Sequence, residues 1–194
     1  MLTPLLETAG RAGVKTLTLY AFSTENWTRP EREVKTLMKL FLETAREKVP
    51  ELNERGARLR FLGRREHLPA SVLEAMEEAE DLTSANDSLD VYIALDYGGR
   101  AEIVDAVRRI VADGLSPEEI DETTFAGYLY APDVPEVDLV IRTSGELRVS
   151  NFLLWQIAYA EFYVTDTLWP DFSPKEFLRA IESFGSRSRR RGGP

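Results

Sequence analysis

The chain contains no cysteine. Disulfides, a thiolate nucleophile and a cysteine-ligated zinc site are therefore excluded. Histidine occurs once. His67 stands in the loop REHLP and reads as an exposed cap or turn residue rather than a catalyst. A basic surplus is also lacking: 24 Lys and Arg face 33 Asp and Glu, a formal charge of −9. A domain with no basic footprint argues against a nucleic-acid partner. No apolar run approaches the roughly 18 residues of a membrane span. The start, MLTPLLETAGR, has no basic region followed by an apolar core, so it does not read as a secretory signal. Neither GxGxxG after a strand nor GxxxxGK[ST] is present, which weakens a nucleotide-binding reading. These absences point to a soluble, cytoplasmic protein.

What is present fits an ordinary globular chain. Of 194 residues, 43% are hydrophobic and 29% charged, and the length predicts one domain over residues 1–194. Leu2, Leu5, Leu6 and Ala9 fall at helical spacing and Gly13 ends the segment. Val14–Phe22 reads as a strand, followed by a polar turn at Ser23–Asn26. Thr28 and Glu31 form a capping-box pattern before a helix with Val34, Leu37, Met38, Phe41, Leu42 and Ala45 on one face. Pro50 should kink or end it. A strand at Ala57–Leu62 closes on Gly63. Pro69–Ala85 reads as an amphipathic helix, Leu89–Leu95 as a strand, Gly98 and Gly99 as a turn, and Ala101–Ala112 as a helix. Ser116 opens a capped turn, and Asp121–Tyr130 reads as a short helix. Phe162–Thr165 is a last strand and Pro174–Phe184 a last helix. Strands alternating with helices predict an α/β fold, a mostly parallel central sheet flanked by helices. Ligands in such sheets gather at the carboxyl ends of the strands. The turns after Phe22, Leu95 and Ile141 should therefore carry the site.

The densest stretch runs from Asp138 to Phe172. Val137–Ile141 is nearly all apolar and reads as a buried strand. A polar turn follows, with Arg142 and Arg148 around Gly145. Ser150 sits where a helix N-cap belongs. Asn151–Ala160 then carries an apolar face of Phe152, Leu153, Trp155, Ile157 and Ala158. A turn leading into a helix N-terminus, flanked by two planar guanidinium forks, predicts a site able to grip a diphosphate. An ordinary surface loop is the competing reading. Glu161 follows; a carboxylate near a diphosphate calls for a hard cation such as Mg²⁺, although a lone glutamate is also a common solvated end.

The block IRTSGELRVSNFLLWQIAYAEFYVTDTLWPDF, the segment LTLYAFSTENWTRP at Leu17–Pro30, YGGR at Tyr97–Arg100 and the closing RRRGG resemble, in order, the signatures of the cis-prenyltransferases, the undecaprenyl diphosphate synthase family. The resemblance spans essentially the whole chain. It implies a six-stranded parallel sheet, a homodimer and Mg²⁺ as cofactor. It also implies condensation of isopentenyl diphosphate with an allylic prenyl diphosphate into a cis polyprenyl diphosphate, a lipid carrier for cell-wall glycan synthesis. The product would enter the membrane, leaving an enzyme that is cytoplasmic or peripheral at the membrane surface.

Residue by residue, the resemblance implies that Arg142, Arg148 and Ser150 bind isopentenyl diphosphate and that Glu161 holds Mg²⁺. Ser23, Thr24, Glu25, Trp27 and Arg29 match substrate-contacting positions. Asn26 takes the place of the proton acceptor, although an amide is a poor base at neutral pH; a turn role satisfying backbone groups is the other reading. Arg190 and Gly192 fit a closing RxG motif that reaches the partner subunit. Asp96 stands where many members carry asparagine, which adds a charge beside the site. The apolar faces of the helices at Val34–Ala45 and Ala70–Ala85 read either as plain core or as walls of the product tunnel.

One departure stands out. The family opens with a strand and a phosphate-cradling MDGNGRWA loop, and this chain starts inside the next helix. The expectation is therefore a sheet without its first strand and a chain with little or no activity as written. A degenerate, non-catalytic partner subunit of a prenyltransferase dimer is the alternative function.

Overall fold

The computed structural model describes residues 2–187. In chain order its elements are α1 (Leu2–Arg11), β1 (Thr16–Ser23), a 3-10 turn (Thr24–Thr28), α2 (Glu31–Glu54), β2 (Ala57–Leu62), α3 (Ala70–Thr83), β3 (Leu89–Tyr97), α4 (Gly99–Ala112), a 3-10 turn (Pro117–Glu119), α5 (Glu122–Ala126), β4 (Leu139–Arg142), β5 (Glu161–Val164), a 3-10 turn (Trp169–Asp171) and α6 (Pro174–Gly185). Every strand pair is parallel, as the alternation of strands and helices predicts. The strands form two sheets, ordered β1-β3-β2 and β4-β5. No described helix is long and apolar enough to cross a membrane.

The chain divides into two compact units. One comprises residues 15–135 with 150–155, the other residues 2–14, 136–149 and 156–187. In the larger unit β3 is the central strand, and Leu89, Val91, Tyr92, Ala94, Leu95 and Tyr97 are all buried. That two-sided burial explains its near-continuous apolar sequence. On β2 burial follows the strand alternation as far as Leu59 and then shifts to Leu62. Ala57, Leu59 and Leu62 are buried, while Arg58 reaches its register partner Asp90 with two bonds of 2.5 and 2.9 Å. The outer edge of β2 is closed by helix α3: Thr83 Oγ1 accepts the Leu59 N–H at 2.9 Å and Glu80 Oε1 the Phe61 N–H at 2.9 Å. These bonds answer backbone donors that an open edge would leave exposed.

The faces of α2 and α3 meet in an apolar cluster of Phe22, Val34, Met38, Leu68, Val72, Met76 and Leu95, with Leu37, Phe41, Leu42, Phe61 and Leu73 half-covered against it. Two details of α2 differ from expectation. Its N-terminus is not closed by a Thr28–Glu31 box; Pro30 is the cap residue, and the Thr28 hydroxyl donates to the Glu25 carbonyl instead. Nor does Pro50 end the helix, which continues to Glu54. Only the Arg46 carbonyl forfeits an N–H donor there, a local loss within a 24-residue helix.

In the smaller unit α1 packs on α6 through buried Leu5, Leu6 and Ala9 and buried Phe177 and Ala180. Ser173 caps α6 by accepting the Glu176 N–H. Strand β4 pairs with β5 in the register Leu139↔Glu161 to Arg142↔Val164.

Candidate active site

In the larger unit the polar residues gather at the carboxyl ends of β1 and β3, as expected for a parallel sheet. Ser23 ends β1 and the chain tightens at once into the 3-10 turn that carries Thr24, Glu25, Asn26 and Trp27. Asn26 Oδ1 accepts the Ser23 N–H at 2.9 Å, closing this turn on itself. Glu25 Oε1 accepts from Asn151 Nδ2 at 2.8 Å, and Oε2 accepts from the Thr24 hydroxyl at 3.1 Å. Partial burial opposes the Glu25 charge, but donors from its own backbone, Asn151, Thr24 and Ser23 outweigh that and hold its carboxyl below the usual range. Arg29 lies at the turn's exit, its Nη1 2.6 Å from Glu33 Oε1.

The expected helix over Asn151–Ala160 does not form. Ser150, Asn151 and Leu153 have φ of 51°, 61° and 44°, left-handed values that cannot propagate a right-handed helix. Tertiary contacts explain why. Leu153 is buried, and Phe152 stacks on Tyr20 with centroids 4.6 Å apart. Asn151 fastens onto the start of α4: its carbonyl accepts the Gly99 N–H at 2.7 Å and its Oδ1 the Arg100 N–H at 2.8 Å. Ser150 is therefore no N-cap; its carbonyl accepts from the Tyr20 hydroxyl at 3.4 Å. Close approach is permitted by Gly98, where a Cβ would lie 2.5 Å from Thr24 Oγ1 and 2.8 Å from Asn151 Nδ2.

Behind this turn sits a buried carboxylate. Asp96 is fully buried at φ 49°. Its Oδ1 accepts from Trp27 Nε1 at 2.6 Å and its Oδ2 lies 3.2 Å from His67 Nδ1. His67 is exposed, as its loop predicts, and its ring also reaches the buried Asp96. Nearby, Tyr97 donates to Glu102 at 2.5 Å, and burial with that carboxylate pushes the phenol far above its ordinary range.

In the smaller unit, Arg142 ends β4 and a turn follows with Ser144 and Gly145 both at φ 65°. The Ser144 and Gly145 N–H groups donate to the Thr167 and Thr165 carbonyls, each at 2.9 Å. With no helix following, the backbone amides expected to cradle an anion are not on offer here. The arginines are what the turn retains for that task. Arg148 is exposed and pairs with Glu146 at 2.9 Å. Glu161 opens β5, and its Oε2 accepts from Arg187 Nη1 at 3.0 Å. Arg190 and Gly192 lie outside the described residues.

The structure thus brings Ser23, Thr24, Glu25, Asn26 and Trp27 together with Ser150 in the larger unit, while Arg142, Arg148 and Glu161 belong to the smaller one. Sequence reasoning missed Asn151 and His67. Only the Asn in SNF, a residue type that tolerates left-handed backbone and caps local N–H groups, offered a signal.

Comparison with known proteins identifies the family and the fold. The family described as "Putative undecaprenyl diphosphate synthase" matches residues 1–192. An isoprenyl transferase from Fusobacterium nucleatum is 53% identical over 188 residues, covering 97% of this chain and 80% of that protein. One from Thermotoga maritima is 51% identical over 183 residues, covering 93% and 78%. The crystal structure of lavandulyl diphosphate synthase from Lavandula x intermedia in complex with dimethylallyl diphosphate superposes with a TM-score of 0.95 at 36% identity, covering 99% of this chain and 85% of that one. These relatives are transferases, which disfavours the reading as a non-catalytic subunit. The chain belongs to the undecaprenyl diphosphate synthase family of cis-prenyltransferases, and its chemistry is isoprenyl transfer between isoprenoid diphosphates.

Proposed function

We propose that residues 1–194 serve as one prenyltransferase domain that condenses isopentenyl diphosphate with an allylic prenyl diphosphate into a cis polyprenyl diphosphate. In each cycle the allylic carbon–oxygen bond breaks and diphosphate leaves. A carbon–carbon bond forms to the isopentenyl alkene, and one proton departs. The observation that carries this reading is the Glu25–Asn151 hydrogen bond of 2.8 Å, which holds the Ser23–Arg29 segment at the carboxyl end of the parallel sheet.

The roles follow from chemistry. Ser23, Thr24 and Ser150 offer hydroxyls to substrate, and Trp27 gives the segment an apolar wall. Arg29, Arg142 and Arg148 supply planar forks for diphosphate oxygens, exchanging carboxylate partners such as Glu33 and Glu146 for phosphate. Asn26 orients the proton transfer rather than taking the proton, because amides are weak bases and its Oδ1 already accepts the Ser23 N–H.

The cofactor of this reading is Mg²⁺, with Glu161 as its protein ligand. The described residues hold no cluster of three or more His, Cys, Asp or Glu. A single carboxylate still fits, since Mg²⁺ commonly takes one or two carboxylates and completes its shell with water and substrate phosphate. When bound, the ion neutralises charge on the diphosphate. One Glu161 oxygen accepts from Arg187. The working form is a homodimer, peripheral at the membrane that receives the product.

Calorimetric titration with isopentenyl diphosphate and with farnesyl diphosphate, each with Mg²⁺, tests the reading. Thin-layer analysis of radiolabelled isopentenyl diphosphate follows any extension. Saturable binding of both diphosphates is expected. Binding of neither would overturn it.

A further inference from the structure

The buried carboxylate of Asp96 has no part in the roles above, yet it touches the segment that carries them. Asp96 is fully buried. A carboxylate taken out of water must find partners for its oxygens, and both are engaged: Oδ1 with Trp27 Nε1 at 2.6 Å, Oδ2 with His67 Nδ1 at 3.2 Å. The backbone around it packs closely against the Gly63 segment. The Asp96 carbonyl accepts the Arg64 N–H at 3.0 Å, and a Cβ on Gly63 would lie 2.0 Å from the Leu95 oxygen and 2.9 Å from the Asp96 oxygen. Asp96 itself takes left-handed backbone, φ 49°, which turns its side chain away from the ordinary strand alternation.

Trp27 is the other half of the argument. It shares the 3-10 turn with Glu25 and Asn26. Its ring meets Phe22 edge-on at 5.0 Å and stands 6.0 Å from the His67 ring. Apolar packing alone would hold the ring but would not fix its rotation. The indole N–H does that, because it has one direction in which to donate.

We propose that Asp96 is a positioning residue. Through the Trp27 indole N–H, with His67 holding the opposite carboxylate oxygen, it sets the Ser23–Arg29 segment in the geometry that receives an isoprenoid diphosphate. This rests on the assignment of that segment to substrate. It adds a residue that acts through Trp27 without contacting the reacting atoms.

The test uses Asp96→Ala, Asp96→Asn and Trp27→Phe, with two readouts. The first is the indole N–H resonance of Trp27 in a ¹H–¹⁵N correlation spectrum, assigned by its loss in Trp27→Phe. The second is the affinity for farnesyl diphosphate and for isopentenyl diphosphate. Asp96→Ala is expected to move the indole resonance upfield, speed its exchange with solvent and weaken farnesyl diphosphate binding by about ten-fold or more. Asp96→Asn keeps an acceptor for the indole and should recover both signals to within about three-fold. Trp27→Phe removes the indole donor together with part of the ring that packs on Phe22 and walls the substrate, and should lose at least as much affinity, whether or not Asp96→Ala folds. An indole resonance indifferent to Asp96→Ala would overturn the clamp. An altered resonance with unchanged affinities would overturn the positioning role. If the unmutated chain binds neither diphosphate while its indole still responds to Asp96→Ala, the functional assignment fails and the clamp stands.

Discussion

Asn151 donates through Nδ2 to Glu25 Oε1 at 2.8 Å and accepts through Oδ1 the Arg100 N–H at 2.8 Å, so one amide ties the turn after β1 to the start of α4. The residues at its two ends, Glu25 and Arg100, belong to the FSTENW and YGGR segments. Asn151 belongs to a third signature more than 120 residues from Glu25 in sequence. Through Asn151, residues of three of the signatures that mark this family share one hydrogen-bonded network.

That assembly gives a direct stability prediction. Asn151→Gly removes both side-chain bonds without disturbing the φ of 61° and should destabilise the chain by about 1–3 kcal/mol. Asn151→Ala adds left-handed strain of about 1–2 kcal/mol more. Asn151→Asp keeps the cap on Arg100 but sets a second negative charge against Glu25, whose carboxyl should then titrate higher than it now does. Urea unfolding at neutral pH orders the first two variants, and NMR titration follows Glu25 in the third. Equal stability for Gly and Ala would show that backbone strain has no part in the effect.

The regular elements were largely legible. β2 at Ala57–Leu62 follows from alternation closed by Gly63, and α4 and α6 from apolar periodicity with Gly or Ser at their starts. The segment after Ser150 was not. Phe152, Leu153, Trp155 and Ile157 repeat at a spacing that serves a helix, but here each side chain answers a different partner, such as Tyr20 for Phe152 and Phe125 for Trp155. Periodicity records that residues are buried, not which surface buries them. The Asp96–His67 contact was hidden for the same reason, since 29 residues separate a strand end from a loop. The expected anion cradle needed the free N–H groups of a helix starting after Ser150, and the left-handed backbone there forms no such helix.

Asp105 predicts a pH dependence of stability. Hydrogen bonds from Arg64, at 2.7 and 3.0 Å, pull its carboxyl down to about 2 despite partial burial, and Tyr130 and Arg108 assist. A folded value below the unfolded one contributes stability above the unfolded pKa of about 3.9 and loses it as pH falls through about 2. The contribution at pH 7 is about 2 kcal/mol. The gap in unfolding free energy between the unmutated chain and Asp105→Asn should therefore be constant above pH 5 and shrink between pH 4 and 2. A gap that stays constant down to pH 2 would detach Asp105 from acid sensitivity.

Two glycines separate backbone from side-chain crowding. At Gly63, with φ 133°, a Cβ would lie 2.0 Å from a backbone oxygen; at Gly98 it would meet the movable ends of Thr24 and Asn151 at 2.5 and 2.8 Å. Gly63→Ala should therefore cost about 3 kcal/mol or more, and Gly98→Ala about 1–2 kcal/mol. Substrate affinity should reverse the comparison per unit of lost stability, because Gly98 lies against the Thr24 turn. Urea unfolding and calorimetric titration on the same preparations check both halves. A Gly98 variant with full affinity would exclude the Thr24–Asn151 approach from substrate binding.

Arg148 tests the diphosphate assignment at its most exposed point. Its side chain is 72% exposed and pairs with Glu146 at 2.9 Å, so the pair adds little to stability and is easily exchanged for another anion. The Ser144 and Gly145 amides are engaged with the Thr167 and Thr165 carbonyls, so these two donors do not stand in for the arginine when it is removed. Arg148→Ala should weaken isopentenyl diphosphate binding by about ten- to hundred-fold with a much smaller effect on farnesyl diphosphate, and should leave the unfolding midpoint nearly unchanged. Glu146→Gln removes the competing carboxylate and should leave isopentenyl diphosphate bound as tightly or a few-fold more tightly. Raising ionic strength should narrow the difference between Arg148→Ala and the unmutated chain, because an exposed charge is screened. Calorimetric titration with each diphosphate at low and high salt measures all three. An equal loss of affinity for both diphosphates in Arg148→Ala would make the residue a source of general positive charge and remove it from the isopentenyl diphosphate site.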